Sequence, residues 1–236
     1  MVKALPRSVW PMLERLLGAT DTAPALKKAK LIRVTPDLEL PLPSNPYPVT
    51  YRLEDSDWLI TNHANVFSRD SLDIGTRFFL QHLPVMPQAG DIIDLGCGNG
   101  VVGLQAAAQH PQATVHFVDE SFMAVASAQE NFVRAFGAKR EAIFHVGDGL
   151  EGFSQASADL VLCNPPFHQQ QAVGDQIAQR LFKQAHKVLK PGGEFWVIGN
   201  RHLGYHVTLK RFFGNAELVA SNAKFVILKM VRRRPH

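Results

Sequence analysis

From Asp91 onward, short apolar runs alternate with stretches in which apolar residues recur every three or four positions. Ile92–Leu95, Thr114–Val118, Ala142–Val146, Leu160–Cys163 and Glu194–Ile198 are compact runs bounded by turn residues, which predicts strands. Val101–Gln109, Phe122–Phe136, Asp175–Leu189 and Tyr205–Phe213 carry the helical period. Glu217–Ala220 and Phe225–Val231 close the chain as an expected strand pair. Alternating strands and helices imply an α/β fold with a mainly parallel sheet, covered on both faces, of seven strands with the closing pair. Ligands on such sheets sit beyond the carboxyl ends of the strands, and the core motifs described below fall there.

Residues 1–62 have a different texture. Val9–Leu17 predicts a short helix stopping at Gly18, and Lys30–Val34, Val49–Leu53 and Trp58–Thr61 predict short strands. Pro36, Pro41, Pro43, Pro46 and Pro48 interrupt anything longer. That is too little chain for a core of its own. We expect a small β-rich N-terminal connector or lid over 1–62, or the tail of a preceding domain, followed by a main domain over 63–236. Leu72, Ile74, Phe78, Phe79 and His82 then suit an amphipathic helix. Asp73 and Gly75 at its start either reach a ligand or simply cap and pack an ordinary helix.

The first core strand runs into Asp94-Leu95-Gly96-Cys97-Gly98-Asn99-Gly100, and a helix follows at once. Glycines let a ligand approach the backbone, and the helix start offers free N–H groups. The spacing does not complete G-x-G-x-x-G, because Val101 stands where the third glycine belongs. Asp94 at the strand end would repel a pyrophosphate but can accept from a cationic or amine-bearing ligand. D-x-G-x-G-x-G resembles the first motif of class I S-adenosylmethionine (SAM) methyltransferases.

The second strand ends in Asp119, placed to accept from both ribose hydroxyls of an adenosine; Glu120 lies next to the helix start. Asp148, in Gly147-Asp148-Gly149, is a candidate for the adenine amine and equally a turn residue. The fourth strand ends Asn164-Pro165-Pro166-Phe167. Two prolines remove two N–H donors, so carbonyls at this corner are free to accept. An amine on an aromatic ring is a poor nucleophile because its lone pair is delocalised. Two acceptors on its N–H groups localise that lone pair, and Phe167 can stack on the ring. The bland alternative is a rigid Pro-Pro turn.

Asn164-Pro165-Pro166-Phe167 resembles the (N/D/S)-P-P-(Y/F) motif of methyltransferases acting on planar nitrogen. With Asn62-His63-Ala64-Asn65-Val66-Phe67-Ser68, Val118-Asp119-Glu120-Ser121 and Asn200-Arg201-His202-Leu203, the chain from about Leu26 to Val231 resembles the ribosomal RNA large subunit methyltransferase G family. The resemblance implies a class I SAM-dependent methyltransferase fold, Rossmann-like, and methylation of guanine N2 in 23S ribosomal RNA in the cytoplasm. It implies that Asp94, Gly96, Gly98 and Gly100 hold the methionine part of SAM, Asp119 the ribose and Asp148 the adenine end. Phe67, Asp73 and Gly75 match the family's pre-core cofactor contacts more loosely. Asn164, Pro165 and Phe167 would hold the guanine, with Asn164 also touching the cofactor. Family members are usually longer, with an N-terminal RNA-binding domain, so the chain is expected to correspond to the catalytic half plus a connector.

Charge adds a partner. Of 25 basic and 21 acidic groups, residues 1–33 hold seven bases and two acids, and residues 224–236 hold five bases and no acid. The middle is left with thirteen bases against nineteen acids. Basic ends on an acidic body suggest phosphate contacts; Lys27, Lys28 and Lys30, with Arg201 after the fifth strand, are the RNA-binding candidates, and solvated tails are the plain alternative. Cys97 and Cys163 suit free thiols rather than a disulfide framework. No metal site is expected, since His202 and His206 lack companions. No apolar run long enough to span a membrane and no signal-peptide core is found in the sequence. Two other readings stay open: methylation of a protein glutamine amide or a DNA adenine, and a SAM- or RNA-binding module without turnover.

Overall fold

The computed structural model of the chain describes residues 5–25, 29–41, 43–165 and 171–234, with the side chains of 171–175 outside that description. It divides into two compact units, Met1–Pro46 and Tyr47–His236. The smaller holds helix α1 (Val9–Leu16) and an antiparallel pair, β1 (Thr20–Thr22) and β2 (Ile32–Val34), with Thr20 opposite Val34. Strand β1 has no sequence signal: Thr-Asp-Thr is short and polar, and pairing alone defines it.

The larger unit begins with a hairpin, β3 (Val49–Arg52) and β4 (Leu59–Asn62), and helix α2 (Ile74–Leu80). Residues 47–62, grouped with the connector on sequence, thus lie in the larger unit. Then come β5 (Asp91–Leu95), α3 (Val101–Gln109), β6 (Thr114–Asp119), α4 (Phe122–Phe136), β7 (Ala142–Val146), β8 (Ala158–Cys163), α5 (Gln171–Val188), β9 (Leu189–Asn200), α6 (Tyr205–Phe213), β10 (Glu217–Ser221) and β11 (Phe225–Val231). A single 3-10 turn, Arg201–Leu203, separates β9 from α6.

Strands β5 to β11 form one seven-stranded sheet, ordered β10-β11-β9-β8-β5-β6-β7. Strands β5 to β9 pair parallel; β11 runs antiparallel to β9, and β10 antiparallel to β11. Successive side chains point to opposite faces. Ile92, Phe117, Leu160, Leu162 and Ile198 therefore meet Phe79 of α2, Leu104 of α3 and Phe132 of α4 in one core. Ile93, Leu95, Val161, Phe195 and Val197 meet Phe182 of α5 and Leu209 and Phe213 of α6 in the other. Burial on both faces explains why these strands read as continuous apolar runs.

Two elements outrun the sequence signal. Helix α5 starts at Gln171, ahead of the expected Asp175. Strand β9 runs from Leu189 through Pro191-Gly192-Gly193, which punctuated the sequence. Gly192 N donates to Arg232 O at 2.7 Å and Arg232 N donates to Gly193 O at 2.9 Å, so the C-terminal chain pairs with the breaker residues and carries the strand past them.

The order of connections places the site. The chain leaves β5 for β6 and β7 on one side, then returns to lay β8 against the other side of β5. The crevice between β5 and β8 is the topological switch point, where crossover helices diverge and leave the carboxyl ends open. Among the described residues no helix is long and apolar enough to cross a membrane.

Candidate functional site

The glycine turn after β5 and the Asn164-Pro165 corner after β8 open into one cleft of about 390 Å³. Small-molecule sites commonly fall in the range of ~300–1,000 Å³. Of the sequence candidates, Phe67, Asp73, Gly96, Gly98, Asp119, Asp148, Asn164 and Pro165 line it. A Cβ at Gly98 would meet open space among the described residues, and Gly96 and Gly98 take φ of 73° and 54°. A ligand can lie directly on this backbone.

Asp94, Gly75 and Gly100 are not among the lining residues, and each has a packing task instead. Asp94 is buried, and its Oδ2 accepts from Gly103 N at 2.7 Å, tying α3 to β5. A side chain at Gly103 would bring its Cβ to 2.9 Å from that Oδ2 and into the Phe117 ring, so the amide reaches the carboxylate because residue 103 is glycine. Burial, reinforced by Asp119, pushes the Asp94 carboxyl up to about 7, against the pull of the Gly103 N–H. Gly100 takes φ 83° at the start of α3, and a Cβ there would stand 2.8 Å from the Ala128 Cβ of α4. Gly75 faces the Phe225 ring, 3.1 Å from a would-be Cβ.

Asp119 closes the turn while lining the cleft. Its Oδ2 accepts from Gly98 N and its Oδ1 from Ser121 N, both at 2.9 Å. A carboxylate offers about four acceptor sites, so capacity remains for a ligand hydroxyl. Asp148 is held by Arg180 of α5, whose Nη1 donates to Oδ2 at 2.6 Å; both side chains are about half exposed and line the same cleft. Phe67 is 61% exposed at the cleft wall.

At the opposite lip, Asp73 caps α2: its Oδ2 accepts from Thr76 N at 2.8 Å and lies 3.2 Å from Thr76 Oγ1. Asn164 Nδ2 donates to Thr76 Oγ1 at 2.9 Å. The Asn164 Oδ1 is buried and has no hydrogen-bond partner among the described residues. Such an acceptor is costly to leave unmade, and here it belongs to a residue lining a ligand-sized cleft. Phe167, like Lys27 and Lys28, lies outside the described residues. Lys30 is exposed in the smaller unit. Arg201 is exposed just past the carboxyl end of β9, where its Nη1 donates to Asn222 O at 3.0 Å.

A buried amide network that sequence reasoning missed holds the turn from behind. Asn131 of α4 accepts from Thr61 N at 2.7 Å and donates to Thr61 O and Asn99 O, both at 2.9 Å. Asn99 Nδ2 donates to Asn62 Oδ1 at 2.9 Å and to Tyr51 Oη at 3.2 Å. Burial raises the Tyr51 phenol above its ordinary range, partly offset by the Asn99 bond. The β3–β4 hairpin is thereby keyed to the glycine turn. A helical asparagine facing an apolar core was the available signal. Buried thiols flank the turn and the corner, and desolvation raises both Cys97 and Cys163, which disfavours thiolate chemistry.

Residues 57–229 match the family model described as methyltransferase small domain. The chain is 56% identical over 238 residues to a Streptomyces avermitilis protein named ribosomal RNA large subunit methyltransferase G, covering 99% of this chain and 62% of that one. A Pseudomonas paraeruginosa protein of the same name is 56% identical over 229 residues, covering 97% and 61%. The chain thus spans about three-fifths of the length of the curated relatives it matches. Among solved structures, the T. thermophilus 16S rRNA N2 G1207 methyltransferase in complex with AdoMet and guanosine superposes with a TM-score of 0.80 at 24% identity, covering 96% of this chain and 61% of that one. The sheet order, the switch-point cleft and this superposition define a class I methyltransferase fold, and the chain belongs to the methyltransferase small domain family.

Proposed function

We propose that this chain transfers a methyl group from S-adenosylmethionine to the exocyclic N2 amine of a guanine in 23S ribosomal RNA. The observation that carries the reading is the Asn164 carbonyl, unpartnered among the described residues, in the same cleft as the open Gly96–Gly98 backbone. The residues fit the cofactor: the Gly96–Gly98 turn accepts the methionine part against bare backbone, Asp119 keeps acceptor capacity for ribose hydroxyls, and Asp148 suits the adenine amine. When bound, S-adenosylmethionine supplies an electrophilic methyl on a sulfonium.

The protein's own contribution is positioning. Asn164 Oδ1 accepts one N–H of the target amine, which holds its lone pair out of conjugation with the ring. Pro165 has no N–H, so the corner presents carbonyl oxygen rather than a competing donor. An amide is not a base, and none is required, because the amine proton becomes acidic once the N–C bond forms and is then lost to water. Phe67, Leu72, Val66 and Ile177 give the cleft an apolar wall. A guanine inside a duplex is out of reach of such a cleft, so the base enters from a loop or is flipped out. Lys30 and Arg201, with the basic ends of the chain, serve the phosphates of the RNA.

Incubation with methyl-labelled S-adenosylmethionine and separate RNA, DNA and protein fractions tests the reading, with nucleoside digestion of labelled RNA. The expected product is N2-methylguanosine at one position of 23S RNA. Label in glutamine of a protein or in adenine of DNA would overturn it.

A further inference from the structure

Three side chains join the start of α2 to the Asn164-Pro165 corner. Asp73 Oδ2 takes both the backbone N–H and the hydroxyl of Thr76, and Thr76 Oγ1 takes the Nδ2 of Asn164. Direction matters in this chain of bonds. A carboxylate only accepts, so the single hydroxyl proton of Thr76 goes to Asp73 and leaves lone pairs facing Asn164. The amide can then meet Thr76 only through its NH2. The reversed amide would set two lone-pair oxygens 2.9 Å apart. Asn164 is therefore held with its carbonyl free, and that carbonyl is the buried atom with no partner among the described residues. Thr76 is itself 9% exposed and, with Asp73, lines the cleft.

We propose that Thr76, polarised by Asp73, is a positioning residue: it fixes the Asn164 amide with its acceptor toward the methyl-accepting amine. The inference rests on the function proposed above and adds a residue that neither the glycine turn nor the Asn-Pro-Pro motif contains. It also gives Asp73 a task distinct from cofactor contact. The amide of a free Asn164 would divide its time between two orientations, one of which presents NH2 to an N–H donor and cannot accept from it.

Thr76→Val removes the hydroxyl at nearly constant volume. Asp73→Ala removes the one oxygen, Oδ2, that accepts both the N–H and the hydroxyl of Thr76, so α2 loses its N-cap and the hydroxyl proton is freed to point at Asn164 and favour the reversed amide. We expect the single-turnover methyl transfer rate to fall about tenfold in both variants, the worth of one hydrogen bond to positioning, with S-adenosylmethionine affinity within about twofold of the parent. Thr76→Ser, which restores the hydroxyl, should recover the rate to within about threefold on the same 23S RNA substrate. Parental rates in Thr76→Val and Asp73→Ala would overturn the relay, as would equal losses of rate and cofactor affinity. A second arm needs no turnover. In nitrogen-15 spectra the Asn164 side-chain NH2 should exchange slowly with water in the parent and faster in Thr76→Val; unchanged exchange would overturn the relay even in a parent inactive on RNA. Inactivity of the parent on every RNA offered would strike the proposed function instead.

Discussion

Replacing Asn131 by alanine removes one side chain and leaves three backbone groups without partners. Thr61 N–H, Thr61 C=O and Asn99 C=O all lose their hydrogen bonds at once. Thr61 is fully buried and Asn131 is 1% exposed, so water does not take over. Among the described residues strand β4 pairs only with β3, and the Asn131 amide takes the backbone groups that β4 presents on its other side. Each buried group left unmade costs about 1–3 kcal/mol. The three share one site and partly relax together, so their sum is less than additive, and we expect a loss of about 3–5 kcal/mol. For a unit of this size each kcal/mol shifts the melting temperature by about 2–4 °C, which puts the variant about 10 °C below the parent. Urea unfolding of the whole chain provides the measurement, read as a lower midpoint at an unchanged slope. Ser127→Ala is the internal gauge, because it removes a single acceptor from His63 N and should cost about 1 kcal/mol. A loss below about 1 kcal/mol for Asn131→Ala would refute the claim that this amide keys the hairpin to the glycine turn.

Asp94 makes stability depend on pH in the direction opposite to a salt-bridged carboxylate. Its folded-state pKa is raised to about 7 from 3.8, so between those values the folded chain holds a proton that the unfolded chain has released. Stability is therefore lost as pH rises from about 4 to about 7 and is flat above that. Relative to Asp94→Asn, the parent should lose about 2 kcal/mol between pH 5 and pH 8 in urea unfolding; parallel profiles would contradict the burial argument. Arg180→Ala frees Asp148 from a half-exposed pair worth only about 0–1 kcal/mol. S-adenosylmethionine should then bind up to about fivefold more tightly by calorimetry, and tenfold weaker binding would show that Arg180 holds the cofactor rather than competing with it.

The parallel core was legible because strands buried on both faces must be apolar throughout, and the helices between them must carry a periodic apolar stripe. Strand β9 was cut short because Pro191-Gly192-Gly193 reads as a turn, while the partners that carry it onward, Gly193 and Arg232, are distant in sequence. Strand β1 was missed for want of apolar residues. In the site, motif spacing located both lips of the cleft but not the direction of each side chain. Asp94 and Gly100 belong to the glycine motif, yet their places in the structure are set by Gly103 and by Ala128 of α4. Thr76, Asn99 and Asn131 act through bonds to residues 32 to 88 positions away, which local pattern does not reveal. Asp73 fell between: its capping position was readable, and the relay it begins was not.

The central claim is that the Asn164 amide carbonyl, unpartnered among the described residues and facing the same hollow as the bare glycine backbone, handles the target amine. The most direct measurement pairs single-turnover methyl transfer with cofactor affinity in Asn164→Ala. The account predicts transfer reduced by about 100-fold or more, the scale of losing a positioned transition-state contact, with S-adenosylmethionine affinity within about threefold of the parent. Transfer at the parental rate would contradict it.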